Sequence, residues 1–220
     1  MFNRIASLIK KKSSADKPIK QHNEEDAVIN LLEPDNKRAL PNTPLTRDIL
    51  ETYDYTNIPN PVIVGNQDGK TILLMDDIPH TDILFKLDFK NIKSQYNLDI
   101  METYKVVKCF GRDAGFMAFK YAVLDNNRID YGIFDLTIGH TVKYENTILS
   151  VDGIDICFNI KNNNPGLKYV LCTAHSLNKN SPTILKFTDK LKNGLNDKLV
   201  DVYMNKNSDR LHRLIQLLKE

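Results

Sequence analysis

Three acidic residues stand at the ends of two short apolar runs of this sequence. The run 71–75 is followed by Asp76 and Asp77, and the run 131–134 is followed by Asp135. Short apolar runs are typical of buried strands in a parallel sheet, and α/β domains place their chemistry at the carboxyl ends of such strands. Carboxylate oxygens bind divalent cations. The pattern therefore predicts a divalent-cation pocket formed by the three aspartates.

The elements that must position these acids follow one another in alternation from residue 70 onward. The predicted strands are 71–75, 104–110, 129–134, 168–172 and 199–204. The predicted helices are 81–96, 113–124, 152–161, 181–195 and a last helix with Ser208 as its N-cap. A polar loop is predicted from residue 139 to residue 146. Five strands alternating with five helices indicate an α/β fold with a doubly wound parallel sheet.

The first third of the chain has a different composition. Residues 10–69 are rich in Lys, Asn, Asp, Pro and Thr, and their apolar residues are scattered. This favours a tail or linker over residues 1–69, followed by one folded domain over residues 70–220. The same stretch offers three short elements: helices at 24–32 and 45–53, and a strand at 62–64. Residues 1–12 combine helically spaced apolar residues with lysines, and a frayed basic terminus is favoured there over a membrane-surface helix.

The composition bounds the class of protein. The 220 residues are 41% hydrophobic and 26% charged with a formal net charge of +2, so one core can form and no global charge favours nucleic acid as a partner. No apolar run is long enough for a membrane span or a secretory signal. Three cysteines without C-x-x-C spacing are interpreted as reduced core thiols of a cytoplasmic protein: Cys109, Cys157 and Cys172. Four histidines share no ligand spacing and are assigned to loops and surfaces: His80, His140, His175 and His212.

From about residue 70 to the C-terminus, the sequence resembles the receiver domain (CheY-like) of two-component response regulators. The resemblance rests on residues that follow successive predicted strands in the family's order: Asp76-Asp77, Asp135, Thr173-Ala174 and Lys206. It extends to an Asp-Gly segment at 152–153 and to Tyr203. It implies a flavodoxin-like five-stranded sheet in the order 2-1-3-4-5, with helices on both faces. The chain is thus expected to be a stand-alone receiver with an N-terminal extension.

The resemblance implies a Mg²⁺-dependent phosphorylation in a phosphorelay. Asp135 would be the phospho-acceptor. The metal ligands would be the carboxylates of Asp76, Asp77 and Asp135 and the backbone carbonyl of Thr137. Mg²⁺ suits such a site because it takes few carboxylate ligands and keeps several waters. The enzymatic activity implied is at most self-catalysed phosphotransfer from phosphohistidine and autodephosphorylation.

Further residues would bind the phosphoryl group and transmit its presence. By resemblance to the family, the Lys206 side chain, the Thr173 hydroxyl and the Ala174 backbone N–H would bind the phosphoryl oxygens. Thr173 and Tyr203 would form a switch that alters a protein-binding surface. The implied partners are a histidine kinase or phosphotransfer protein and a downstream protein, while the oligomeric state stays open.

Each of these residues also has a simpler explanation when taken alone. Asp77 would serve as a helix N-cap, Lys206 as a surface turn lysine and Tyr203 as a core residue. Only their joint occurrence favours the receiver. Lys186 competes with Lys206 for the position after the last strand, and Asn207 stands where receivers usually carry proline.

Two other functions remain as alternatives. The segments after Asp135 and Thr173 are long for a receiver, which together with Asn207 favours a pseudo-receiver that docks partners without phosphorylation. A Mg²⁺-dependent phosphatase of another α/β family is less consistent with the sequence. Such a phosphatase would need an Asp-x-Asp pair at one strand end, whereas Asp135 is followed by Leu136 and Thr137.

Overall fold

The computed structural model describes residues 38–39, 43–173, 187–191, 204–205 and 210–219. The strands are β1 Arg38–Ala39, β2 Val62–Gly65, β3 Thr71–Asp76, β4 Lys105–Phe110, β5 Tyr131–Asp135, β6 His140–Tyr144, β7 Thr147–Val151, β8 Lys168–Thr173 and β9 Met204–Asn205. The helices are α1 Arg47–Leu50, α2 Thr81–Tyr96, α3 Ile100–Thr103, α4 Ala114–Phe119, α5 Gly153–Asn163, α6 at 187–191 and α7 Arg210–Lys219. Helix α4 continues as a π-helical segment, Lys120–Leu124.

The main sheet has six strands in the order β2-β4-β3-β5-β8-β9. Five of these strands are parallel to one another: β4, β3, β5, β8 and β9. When these five are numbered in the order in which they occur along the chain, their order across the sheet is 2-1-3-4-5. This confirms the predicted doubly wound parallel sheet. Strand β2 joins the edge antiparallel to β4, and it corresponds to the short extra strand predicted at 62–64. Of the predicted last strand, residues 199–203 lie outside the described part of the chain.

Helices cover both faces of this sheet. Alternate residues of β3 point to opposite sides, so Leu73 packs in one buried apolar cluster and Ile72 packs in the other. The first cluster includes residues of α4, α5 and α6, and the second includes residues of α2 and α7. All six residues of β3 are buried, as expected for a central strand between two helical layers.

Most helices lie where the sequence predicts them. Helix α2 has the predicted bounds. Helix α5 begins one residue after its predicted start, because Asp152 is its N-cap and accepts hydrogen bonds from the backbone N–H groups of Ile154 and Asp155. The predicted helix 181–195 is described only at 187–191. The predicted helix 24–32 and Ser208 lie outside the described residues. The predicted helix 45–53 is reduced to α1.

The predicted polar loop at 139–146 is wrong. Strands β6 and β7 form an antiparallel hairpin there, with Glu145 at positive φ in the turn, and β1 pairs with β7 in parallel. One face of the hairpin packs on the protein core. In β6 the buried His140 and Val142 alternate with Thr141 and the exposed Lys143, as in a half-buried sheet, and Val151 at the end of β7 is also buried.

The assignment of His140 to a loop or surface is also wrong. His140 begins β6, is 8% exposed and stacks on the ring of Phe116 at a centroid distance of 4.4 Å. Burial lowers the pKa of His140 to about 4, so its ring is neutral at physiological pH. The side chain thus belongs to the core that holds the hairpin.

The compact unit extends beyond the predicted boundary at residue 70. It begins at Asn36, and three apolar residues before position 70 are buried: Leu45, Leu50 and Ile58. The N–H of Leu45 donates to the Asp155 carboxylate at 2.7 Å, and its carbonyl accepts from the Asn159 amide at 2.8 Å. These bonds satisfy both backbone groups of Leu45 and attach the segment to α5.

Aromatic packing attaches the same segment to α4. The rings of Tyr53 and Phe116 stack with centroids 3.9 Å apart, and Tyr55 meets Phe116 edge-on at 5.8 Å. Burial raises the pKa of Tyr55 well above its ordinary value, and its hydroxyl donates to the carbonyl of Leu50. Residues 43–58 are therefore a packed layer over α4 and α5.

A substitution at Leu50 tests this layer. Leu50→Ala is expected to lower the free energy of unfolding by about 2–5 kcal/mol, because it opens a cavity at a fully buried site. The measurement is urea unfolding followed by circular dichroism. Leu87→Ala removes the same atoms from a side chain that is 54% exposed, so it should cost less than about 0.5 kcal/mol. Equal effects of the two substitutions would contradict the packing of this segment.

All three cysteines are free and buried, which confirms their interpretation as core thiols. Among the described helices, none combines the length and apolar character that crossing a membrane requires.

Candidate functional site

The three predicted acids meet at one edge of the sheet. Asp76 is the last residue of β3 and Asp135 is the last residue of β5, and these two strands are neighbours in register. One carboxylate oxygen from each of Asp76, Asp77 and Asp135 lies within 4.8 Å of the others. Asp76 and Asp135 are 4% and 3% exposed, so the cluster is recessed at the carboxyl end of the sheet.

Local backbone bonds hold these carboxylates. The N–H of Ile78 donates to Asp76 at 2.9 Å, and the N–H of Thr137 donates to Asp135 at 3.3 Å. The N–H of Leu136 donates to the carbonyl of Cys172 on β8 at 2.8 Å, which continues the strand pairing beyond the acid. The turn after each strand therefore orients its acid.

Asp77 does not serve as the cap of the following helix. The N-cap of α2 is His80, whose side chain makes no capping bond. The simpler explanation for Asp77 as a helix cap is therefore wrong. Its side chain instead lies with Asp76 and Asp135 in the cluster.

Gly153 packs against the backbone that carries Asp135. A Cβ atom at position 153 would lie 1.8 Å from the carbonyl oxygen of Asp135 and 2.8 Å from its carbonyl carbon. The Gly153 N–H also donates to the carbonyl of Leu136 at 3.0 Å. Only glycine lets α5 begin this close to the strand end. The Asp-Gly segment in the sequence was the signal for this contact.

The donor set fits a hard divalent cation. Three carboxylates offer oxygen ligands of the kind that Mg²⁺ and Ca²⁺ take, and Mg²⁺ needs few of them. Three negative charges this close repel one another, and a bound cation relieves that repulsion. The cluster can therefore hold a metal and, with Asp135, present a carboxylate oxygen as a nucleophile.

Of the residues predicted to bind the phosphoryl group or to form the switch beside Asp135, the structure describes only Thr173. Thr173 ends β8, two strands from Asp76, and its backbone lies at the same edge of the sheet as the acids. Ala174, Tyr203 and Lys206 lie outside the described residues, as does the competing Lys186. Their roles stay predictions.

A buried ionic cluster beside the site was missed by sequence reasoning. The Lys190 ammonium on α6 lies 2.7 Å from carboxylate oxygens of both Asp152 and Asp155. Lys190 is 2% exposed and Asp155 is fully buried. The sequence signal for this cluster was the pair Asp152 and Asp155 at the start of a helix, because buried carboxylates need a counter-ion. The cluster joins α5 and α6.

One ammonium between two carboxylates sets the protonation of this cluster. Burial and the neighbouring Asp152 carboxylate raise the pKa of Asp155 to about 7, although the Lys190 ammonium opposes the rise. Burial alone would lower the pKa of Lys190, but the two carboxylates raise it above its ordinary value. Lys190 thus stays charged at neutral pH while Asp155 titrates there.

The solved structures to which this chain is similar include response regulator proteins. The response regulator TrrA of Thermotoga maritima, in complex with Mg²⁺ and BeF, is 19% identical with a TM-score of 0.41, over 68% of this chain and 96% of that one. A CheY-like receiver domain protein of Methanospirillum hungatei is 18% identical with a TM-score of 0.39, over 69% of this chain and 92% of that one.

A further match is TrrA in complex with the histidine kinase ThkA. It is 19% identical with a TM-score of 0.39, over 68% of this chain and 98% of that one. No family model and no curated protein matches the sequence.

Proposed function

We propose that this protein is a phospho-accepting receiver of a two-component phosphorelay, with Asp135 as the acceptor. The observation that carries the proposal is the cluster of Asp76, Asp77 and Asp135, whose carboxylate oxygens lie within 4.8 Å of one another at the ends of β3 and β5. The strand order 2-1-3-4-5 of the parallel strands supports it, because that order brings these two strand ends side by side.

The proposed reaction transfers a phosphoryl group to Asp135. A carboxylate oxygen of Asp135 forms a bond to phosphorus while the phosphorus–nitrogen bond of a phosphohistidine breaks, and the released imidazole nitrogen takes up a proton from solvent. Asp76, Asp77 and the Thr137 carbonyl would hold Mg²⁺ with Asp135. When bound, this ion would neutralise charge on the transferred oxygens. Hydrolysis of the acyl phosphate would return the carboxylate and inorganic phosphate.

Residues after the fourth and fifth parallel strands would complete the site. In the proposal Lys206, the Thr173 hydroxyl and the Ala174 N–H bind the phosphoryl oxygens. Movement of Thr173 toward the phosphoryl group would let Tyr203 turn inward. This would change a surface that a downstream protein binds.

The phosphodonor would dock on the first turns of α2, beside the acids. Four apolar side chains next to the cluster are between 44% and 57% exposed: Ile78, Ile83, Leu84 and Leu87. A histidine kinase or phosphotransfer protein must bring its phosphohistidine into contact with Asp135. These exposed side chains on the segment that follows Asp76 and Asp77 are therefore the surface that we propose it would cover.

The test is phosphorylation of the full chain by acetyl phosphate with Mg²⁺, followed by intact mass. The wild-type protein is expected to gain the mass of one phosphoryl group, and Asp135→Asn is expected to gain none. Asp125→Asn, an exposed position, is the matched control and should behave like the wild type. Equal adducts on all three proteins would contradict the assignment of Asp135. No adduct on any of them would favour the phosphorylation-independent docking module.

A further inference from the structure

A groove runs along the side of α2 that faces the edge of the sheet. Its volume is about 620 Å³, and it lies between α2 and strand β2. Strand β2 is the edge strand next to β4, and in their antiparallel pairing Val62 stands opposite Lys108 and Val64 opposite Val106. Among the described residues, no helix covers the outer part of this sheet face, and Val62 is 59% exposed.

The two sides of the groove differ in chemistry. Its floor and outer wall are apolar and include Val62, Val64, Met101, Phe89 and Phe110. These side chains continue the apolar cluster that α2 covers, since Phe89 is a member of it and Val64 and Phe110 pack against it. A partner that buries this wall would therefore extend the existing core.

The α2 side of the groove is basic. Lys86, Lys90 and Lys93 are spaced so that they share one face of the helix, and all three line the groove. Four lysines and two aspartates line it in all, which leaves a net positive charge.

Both aspartates already contact lysines of the groove. Asp82 lies 2.6 Å from the Lys86 ammonium and 2.8 Å from that of Lys108, and Asp99 bonds to Lys93. In the described part of the chain, no carboxylate contacts Lys90. The positive charge is therefore available to a ligand along the rim.

We propose that this groove binds an acidic amphipathic helix of a partner protein. The helix would lie on the sheet beside α2, with its apolar face on Val62 and Met101 and its carboxylates toward Lys86 and Lys90. From Asp82 to Lys93 the α2 wall is about 17 Å long, which matches about three turns of a partner helix. This surface does not include the acid cluster, so the proposal holds whether or not Asp135 is phosphorylated.

The test uses two synthetic helical peptides that share one leucine face. In one peptide the flanking positions are glutamate, and in the other they are lysine. Fluorescence anisotropy of the labelled peptides with the full chain is expected to show binding of the acidic peptide only. Equal binding of both peptides, or binding of neither, would overturn the proposal.

Matched charge reversals separate local recognition from net charge. Lys90→Glu is expected to weaken the acidic peptide about three- to tenfold, since an attraction becomes a repulsion. Lys143→Glu makes the same change of net charge at an exposed residue of β6 and should leave the affinity unchanged. An equal loss in both variants would mean nonspecific attraction and would overturn the proposal.

Methionine methyl NMR locates the bound peptide. The Met101 methyl signal should shift on addition of the acidic peptide, while those of the buried Met75 and Met117 should not. Shifts of Met75 and Met117 without Met101 would place the peptide elsewhere. A Met101 shift that appears on raising the protein concentration without peptide would assign the groove to a second copy of this chain. Either result would overturn the proposal.

Discussion

Replacing Lys190 by methionine is expected to lower the free energy of unfolding by about 3–5 kcal/mol at pH 8, the usual cost of removing one partner from a buried ion pair. The ammonium lies 2.7 Å from Asp152 and Asp155, and all three residues are buried. Methionine fills similar space, so the loss would come from the two uncompensated carboxylates. Urea unfolding measures it.

The loss should shrink as the pH falls. In the folded protein, burial and the Asp152 carboxylate raise the pKa of Asp155 to about 7, whereas an aspartate in an unfolded chain titrates at about 4. The folded state therefore binds more protons between these values, and this group makes stability fall as the pH rises through that window. Without the Lys190 ammonium, the pKa of Asp155 rises further. Lys190→Met should thus cost less at pH 5, where the carboxyl is protonated, than at pH 8.

Two further variants keep this prediction testable if Lys190→Met fails to fold. Lys190→Met combined with Asp155→Asn removes one buried charge and should regain part of the lost stability. Lys143→Met, at an exposed position, should change the free energy of unfolding by less than about 0.5 kcal/mol. A pH-independent loss with no recovery in the double variant would contradict the ionic role of Lys190.

The two central strands β3 and β5 could be predicted because the residues before their final aspartate are largely apolar. Every residue of β3 and of β5 is buried, so each strand appears in the sequence as an uninterrupted apolar run. The order of the strands has no such signal. It came from the resemblance, in which acids follow the first and third strands.

The hairpin could not be predicted in the same way. Its strands have five residues each and are only partly buried, so polar residues such as Thr141, Lys143 and Ser150 interrupt the apolar ones. Its turn contains Glu145 at a φ of 52° instead of the glycine that usually marks such turns. A short polar segment of this kind resembles a loop.

Irregular segments and buried charges are the other part that the sequence hides. Leu45 and Asp155 are 110 positions apart, and their hydrogen bond depends on the tertiary structure alone. Leu45 and Tyr53 lie in a stretch that the sequence predicts to be helical, yet only residues 47–50 form a helix there. A lysine is exposed by default, so only the acids of α5 explain why Lys190 is buried.

The acids of the candidate site were predictable because each stands at the carboxyl end of a strand or directly after it. Asp76, Asp77 and Asp135 needed only the rule that parallel strands end at one edge of the sheet. The close approach of Gly153 to Asp135 depends instead on where α5 begins. That position is set by packing between α5 and the sheet.

Gly153→Ala is expected to disturb both the fold and the acid cluster. The new methyl group would lie 1.8 Å from the carbonyl oxygen of Asp135, and backbone atoms cannot move aside at low cost. Helix α5 must then shift away from β5 and strain the bond from Gly153 to the Leu136 carbonyl. A loss of about 1–3 kcal/mol in the free energy of unfolding is expected from this overpacking.

The same substitution should weaken metal binding, because the backbone that it displaces carries the Asp135 carboxylate. We expect Mg²⁺ affinity, measured by isothermal titration calorimetry on the folded protein, to fall in Gly153→Ala and to be unchanged in Gly166→Ala. A Cβ atom at position 166 meets no atom within 4 Å, so this control adds a methyl group without a clash. Wild-type stability in Gly153→Ala would contradict the contact itself. Lost stability with unchanged Mg²⁺ affinity would instead show that the cluster tolerates movement of α5.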